Sequence, residues 1–240
     1  MQGSNPGSAR IFFDCKGGTS VLSRIFQRPE AEASSAKNAS LAPQTPAKVL
    51  RHSSGWSMIS ARLRKQEGLS ILDVGPTSHR SINYLTDLGH SVFMSDLVEE
   101  ASKPEWSSPG QDQTPSRIRI SDFIEKHMQF GTRVFDVVLL WDTLNYLPET
   151  FVAPVLRRLQ DCLVSDGEIL AFFHTQPHRR GTSYYRYHLL DQENVEVQEC
   201  AGHALLHTYQ VRAIERLFTD FRSCRFFLAK DNLSEVIVLR

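Results

Sequence analysis

Asp73-Val74-Gly75-Pro76-Thr77-Ser78 ends an apolar strand at Ser70–Val74, and Asp96 follows a second strand at Ser91–Met94. Between them the spacing predicts a helix with Ile82, Leu85 and Leu88 on one face, stopped at Gly89. A glycine at a strand end lets a ligand approach the backbone where a Cβ would obstruct it. The helix that follows offers free N–H groups and a partial positive charge. Asp96 lies about 20 residues beyond the turn, the offset at which a carboxylate reaches the ribose hydroxyls of a bound nucleoside, with a helix N-cap at a strand end as its plainer alternative. The G-x-G-x-x-G pattern is absent, since only Gly75 is present before Pro76, Thr77 and Ser78. That argues against a pyrophosphate lying flat on the backbone and for a mononucleoside-type cofactor.

A second group of candidates follows the run Phe135–Trp141, which is apolar enough for a strand buried on both faces. In an open α/β sheet the carboxyl ends of the strands line the crevice where ligands bind. Trp141, Asp142, Asn145 and Tyr146 would stand there. Asp142 is either a ligand contact or an N-cap, and Trp141 is a packing lid or a cation–π partner. His174, ending a fifth strand at Glu168–His174, has the intrinsic pKa of a general base, against the ordinary alternative of a structural histidine. Asp142, Tyr146 and His174 are therefore the catalytic candidates. The segment His178–His188 interleaves cations and aromatics, as single-stranded nucleic-acid surfaces do. It equally suits an acidic or aromatic small substrate, or a solvated hairpin with one aromatic face in the core. Balanced charge favours the hairpin, which as an insertion between strand five and its return helix is still the expected acceptor-recognition element.

Alternating strands and helices must position these residues. The pattern predicts a basic helix over Val49–Gln66 with Trp56, Ile59 and Leu63 in register, then the βαβ unit, then a long irregular loop over Val98–Ser116. Arg117–Ile120 reads as strand three, with Asp122-Phe123 and a short helix behind it. A helix over Glu149–Leu163, a turn at Ser165-Asp166-Gly167, and a hairpin of Tyr184–Leu190 with Val195–Gln198 come next. The helix Val211–Thr219 and a terminal hairpin, Arg222–Ala229 with Glu235–Leu239, complete the chain.

The chain has 240 residues with 27 basic and 27 acidic side chains, so its charge points neither to nucleic acid nor to an anionic membrane. One α/β domain over residues 49–240 is expected behind a tail and linker over residues 1–48, whose Arg28–Lys48 stretch is Ala/Ser/Pro-rich. Val21-Leu22 and Ile25-Phe26 in that tail could form one amphipathic turn, with a frayed tail as the plainer alternative. No apolar run approaches the ~20 residues of a membrane span, and no secretory signal is visible. The four cysteines are scattered without ligand spacing, so no metal site is expected and a reducing, cytoplasmic setting is.

In these motifs the chain resembles the class I S-adenosylmethionine-dependent methyltransferases, from about Gly68 to Arg240. Their acid-x-Gly-x-Gly turn is similar to Asp73–Thr77, with Thr77 where the family prefers a second glycine, and their ribose acid corresponds to Asp96. The resemblance implies a doubly wound, mostly parallel seven-stranded sheet ending in an antiparallel hairpin, with S-adenosylmethionine as cofactor. It puts Gly75 with Pro76, Thr77 and Ser78 under the methionine portion and Asp73 near its amino group, with Asp142 and Trp141 facing them. Asp96 would take the ribose with Leu97 beside it. Asp122 and Phe123 would take the adenine. The Asn-Pro-Pro-Tyr form used on planar amines is absent after strand four, which lowers base N-methylation. The expected function is methyl transfer by in-line displacement to an unidentified acceptor, where positioning supplies much of the acceleration. A methyltransferase-like scaffold without activity and a nicotinamide-dependent oxidoreductase are the rival readings.

Overall fold

The computed structural model describes residues 48–107, 116–177, 184–200, 202–227 and 231–240. The expected tail, the residues His178–Ser183 and much of the expected 98–116 loop lie outside those residues.

Strand β1 (Lys48–His52) precedes helix α1 (Ser54–Leu63), so the expected helix begins five residues later and a strand takes its first turn. Ser53 sets that boundary, its hydroxyl accepting the Trp56 N–H as an N-cap. Strand β2 (Ser70–Val74), helix α2 (His79–Asp87) and strand β3 (Ser91–Ser95) form the anticipated βαβ unit. Gly89, at φ +86°, makes the turn between the last two. Two short helices, α3 (Leu97–Ala101) and α4 (Pro104–Ser107), replace the first part of the expected loop.

The expected third strand is a helix. Residues 117–120 lie in the first turns of α5 (Ser116–His127). Arg-Ile-Arg-Ile alternates like a strand, but Ile120, Phe123, Ile124 and His127 recur at helical spacing, and packing favours that longer period. Next come β4 (Phe135–Trp141), α6 (Glu149–Cys162), β5 (Leu163–His174), β6 (Tyr184–Leu189) and β7 (Asn194–Cys200). The chain closes with α7 (Val211–Leu217), β8 (Ser223–Phe227) and β9 (Leu233–Leu239).

Among the described residues six strands make the main sheet, in the order β3-β2-β4-β5-β9-β8, with β9 alone running opposite to the other five. That is one strand fewer than expected among the described residues, because the residues of the expected third strand lie in α5. The sheet is buried on both faces, and its side chains alternate between two cores. Val138 and Leu140 of β4 and Ile169, Ala171 and Phe173 of β5 face α3, α5, α6 and α7. Val137, Leu139 and Trp141 of β4 and Leu170 and Phe172 of β5 face α1 and α2. Period-2 alternation of apolar groups on both sides is what a doubly wound sheet demands.

A second sheet, β1-β7-β6, is antiparallel throughout. The expected hairpin is its β6–β7 pair, and β1 adds the third strand. It docks on α2, where Ser81 Oγ donates to the Tyr187 carbonyl and accepts the Leu189 N–H. Tyr187, Leu189 and Val195 join the core of the α1/α2 face. At the other end, the buried Glu235 of β9 pairs with Arg51 of β1 and accepts from Ser53 Oγ at 2.9 Å and Gly55 N at 2.7 Å. Gly55 has no room for a side chain there, because a Cβ would come within 2.6 Å of Leu170 Cδ1.

Candidate active site

The site forms where β2, β3, β4 and β5 end together. Gly75 follows β2 and is buried, its N–H donating to Ser95 O of β3 at 3.0 Å. A Cβ on Gly75 would point at Trp141 Cδ1, 3.4 Å away, and toward the Tyr184 hydroxyl at 4.0 Å. Pro76 is half-buried and Thr77 exposed, while Ser78 is buried as the N-cap of α2, accepting the Ser81 N–H at 3.1 Å.

Ser78 also begins a chain of polar contacts. Its Oγ lies 2.8 Å from His188 Nδ1, and His188 Nε2 lies 2.8 Å from Gln198 Oε1. With Nε2 donating to the Gln198 oxygen, Nδ1 accepts the Ser78 hydroxyl proton. Burial lowers the His188 pKa and keeps the ring neutral for that task. Sequence reasoning missed His188 and Gln198, because only the β6–β7 pairing brings them to the turn.

Three carboxyl groups converge on the crevice. Asp73, in β2, accepts the Trp141 indole N–H at 2.6 Å. Burial pushes its pKa up to about 7, opposed by that indole bond and reinforced by the negative charge of Asp96. Asp96 caps α3 by accepting the Glu99 N–H at 3.1 Å, and the same oxygen lies 3.3 Å from the Tyr184 hydroxyl. Burial raises its pKa as well, more than these two hydrogen bonds lower it. Leu97, the next residue, is fully buried. Asp142 is almost fully buried and makes no side-chain cap bond to the 3-10 turn Thr143–Asn145, so it is not an N-cap there. Its Oδ2 lies 3.0 Å from His174 Nε2.

Trp141 pays for its place. At φ +48° it is the one non-glycine residue in the left-handed region among the described residues, a conformation that costs about 1–3 kcal/mol for a bulky side chain. The indole–Asp73 bond and a parallel stack on Tyr187, 4.8 Å between centroids at 8°, hold it there. The Tyr187 hydroxyl is buried close to Asp142 without a hydrogen bond of normal length. Tyr146 sets its ring edge-on to His174 at 6.1 Å and to Tyr184 at 4.9 Å. Burial, with Asp142 nearby, raises the Tyr146 phenol far above its ordinary range, so it stays protonated and can offer a hydrogen bond but not act as a base. Asn145 fixes the backbone beside them, its Oδ1 accepting the His174 N–H at 3.3 Å and its Nδ2 donating to His207 O at 2.8 Å.

Asp122 and Phe123 are not brought to this crevice. Asp122 is exposed on α5. Phe123 is completely buried among Trp106, His127 and Phe151, with no open face for a ligand ring.

Residues 47–221, most of the chain, match the family described as a methyltransferase domain. The chain belongs to this family, the class I S-adenosylmethionine-dependent methyltransferases. Solved structures resemble it in fold at low identity. The 1,6-didemethyltoxoflavin-N1-methyltransferase of Burkholderia thailandensis, with 1,6-didemethyltoxoflavin and S-adenosylhomocysteine bound, is 18% identical over 78% of this chain and 77% of its own, at a TM-score of 0.40. The magnesium protoporphyrin IX methyltransferase of Synechocystis, with S-adenosylmethionine bound, is 14% identical over 77% of each chain, at 0.42. The PH0226 protein of Pyrococcus horikoshii is 12% identical over 77% of this chain and 88% of its own, at 0.46. No curated protein matches the sequence.

The chemistry of the site fits the methyltransferase cofactor, which carries a sulfonium and an α-ammonium. The hydrogen bonds reaching Asp73, Asp96 and Asp142 come from an indole, a phenol, a backbone amide and an imidazole, none of them from a lysine or arginine. Buried carboxyl groups so arranged are stabilised by a cationic ligand. Tyr187 offers a further buried hydroxyl with hydrogen-bonding capacity to spare.

Proposed function

We propose that this chain transfers the methyl group of S-adenosylmethionine to a small-molecule acceptor, with His174 receiving the acceptor's proton. One observation carries the reading. Gly75, Asp96, Asp142 and His174 reach a common crevice from the carboxyl ends of four parallel strands, the place where open α/β sheets bind ligands. The bound cofactor supplies a methyl group on a good leaving group. The protein holds the reactants in line, which can be worth about 7–11 kcal/mol of the barrier. Gly75 leaves backbone room for the methionine portion beside Pro76, Thr77 and Ser78. Asp73 and Asp142 face its ammonium, and Asp96 accepts the ribose hydroxyls.

His174 Nε2 donates to Asp142 Oδ2, so that carboxylate orients the ring. A base is useful only where the acceptor must lose a proton, so the acceptor is a hydroxyl or N–H compound. Its small-molecule nature accords with the balanced net charge and with the small-molecule ligand of the toxoflavin relative. A cytoplasmic setting accords with the free thiols of Cys162, Cys200 and Cys224. No described helix is long and apolar enough to cross a membrane.

The Tyr184 hydroxyl on Asp96 favours a second reading, a family member kept as a binding protein, because it engages the acid that a ribose would need. Titration calorimetry with S-adenosylmethionine, S-adenosylhomocysteine and NADH separates the readings. Micromolar binding of the first two, abolished by Asp96→Ala, is expected, with none for NADH. Silence toward all three would leave only the binding protein.

A further inference from the structure

The turn Gly75–Ser78 has little of its own to fix its shape. The Gly75 N–H donates to Ser95 O, and the Ser78 carbonyl accepts the Ile82 N–H of α2. Between these ends, no backbone–backbone hydrogen bond involves Pro76 or Thr77 among the described residues. No residue of the turn has a positive φ, so Thr77 fits it without strain. The end of the turn is therefore set by the Ser78 side chain, and that side chain is held from β6. We infer that His188 and Gln198 are positioning residues of the cofactor site, fixing the Gly75–Ser78 turn through the Ser78 hydroxyl. The inference rests on the S-adenosylmethionine reading above, which lays the methionine portion beside this turn.

The geometry leaves each atom one task. Ser78 Oγ accepts the Ser81 N–H at 3.1 Å, and its own hydrogen goes to His188 Nδ1 at 2.8 Å. Gln198 Oε1, 2.8 Å from Nε2, accepts the ring's hydrogen and so selects the tautomer whose Nδ1 is free to accept. Gln198 stands between Arg186 of β6 and Lys48 of β1 in the ladder, diagonal to His188. Ser78 and His188 are both buried, so water is a poor substitute for either partner. The turn ends a strand of the main sheet but takes its shape from the small one.

A proton on Nδ1 reverses the arrangement. The charged ring donates to Ser78 Oγ, and the buried hydroxyl hydrogen loses its acceptor. Burial opposes that step most, while the hydrogen bond to Gln198 favours it. Lys48 of β1 and Arg186 of β6 oppose it, and Glu196 of β7 favours it. Glu196 is itself held by Lys48 at 2.8 Å and by Arg80 of α2 at 3.3 Å. The turn is thus held in neutral solution and released in acid.

Calorimetry of the full chain with S-adenosylhomocysteine, at about pH 7 and about pH 5, tests this without any acceptor. His188→Phe keeps a ring but no acceptor and should weaken binding about tenfold at the higher pH, as loss of one net hydrogen bond does. His188→Asn sets its Oδ1 where Nδ1 stood and has no proton to gain. It should bind within about threefold of wild type at the higher pH and lose less affinity than wild type at the lower. Gln198→Glu favours the charged ring and should bring the loss in acid closer to neutrality. Asp73 titrates in all of these proteins, so the differences between them report His188. Wild-type affinity in His188→Phe, or an acid response in His188→Asn equal to that of wild type, overturns the positioning role while the cofactor reading survives. The second comparison decides the matter where His188→Phe does not fold. No binding by the wild-type chain overturns both.

Discussion

At the scale of single residues, the site is tuned by burial more than by charge pairing. Asp73 titrates near pH 7 in the folded chain and near 4 when unfolded, so its stabilising effect is complete below pH 4 and disappears as pH rises through 7. Asp73→Asn keeps an acceptor for the Trp141 indole and removes that titration. Urea denaturation between pH 4 and 8 should show the variant spared up to about 4 kcal/mol of the wild-type decline. Tyr184→Phe deletes the hydroxyl that rests on Asp96. Calorimetry should then show S-adenosylhomocysteine binding tighter by roughly ten- to hundredfold, the worth of one net hydrogen bond to a charged group. Asp73, Gly75, Asp96, Asp142 and His174 stand out as candidates in the sequence because each lies at or beside the carboxyl end of a strand. Asn145, His188 and Gln198 carry no such mark. Their roles depend on partners far along the chain.

Elements with a strong local period were readable, and those defined by distant partners were not. The β2–α2–β3 unit, β4, α6 and the two hairpins have alternation or helical spacing within their own residues. Strand β1 is short and exposed, and its register is set by β7, with Lys48 opposite Gln198 and His52 opposite Asn194. Nothing in Lys-Val-Leu-Arg-His announces that partner. The attachment of the small sheet is concentrated in a few polar groups. Ser81 Oγ bonds two backbone groups of β6, so Ser81→Ala leaves both unsatisfied and should cost about 1–3 kcal/mol in urea denaturation. Glu235→Ala removes the buried carboxylate shared by Arg51, Ser53 Oγ and Gly55 N, leaving Arg51 only the exposed Asp231, and should cost about 3 kcal/mol by the same measurement.

Within residues 44–240, a six-stranded sheet carries a smaller sheet that reaches its crevice through Tyr184 and Tyr187. Hydrogen exchange should report the difference. With S-adenosylhomocysteine bound, amides of residues 184–188 and 203–207 should change protection, while those of β4, β5 and β9 should not. Loss of change in the first set, or change in the second, would contradict a ligand at this mouth. The small sheet has one further consequence. Its first strand is made before any of the main sheet, and its other two come well over a hundred residues later. During synthesis β1 therefore waits beside a growing chain, with Arg51 unable to meet Glu235 until β9 has emerged. Pairings so distant in sequence are reached late in folding. All three strands of the small sheet are made by residue 200, before β8 and β9, so a chain stalled there has the cover but not the Glu235 that fastens its first strand.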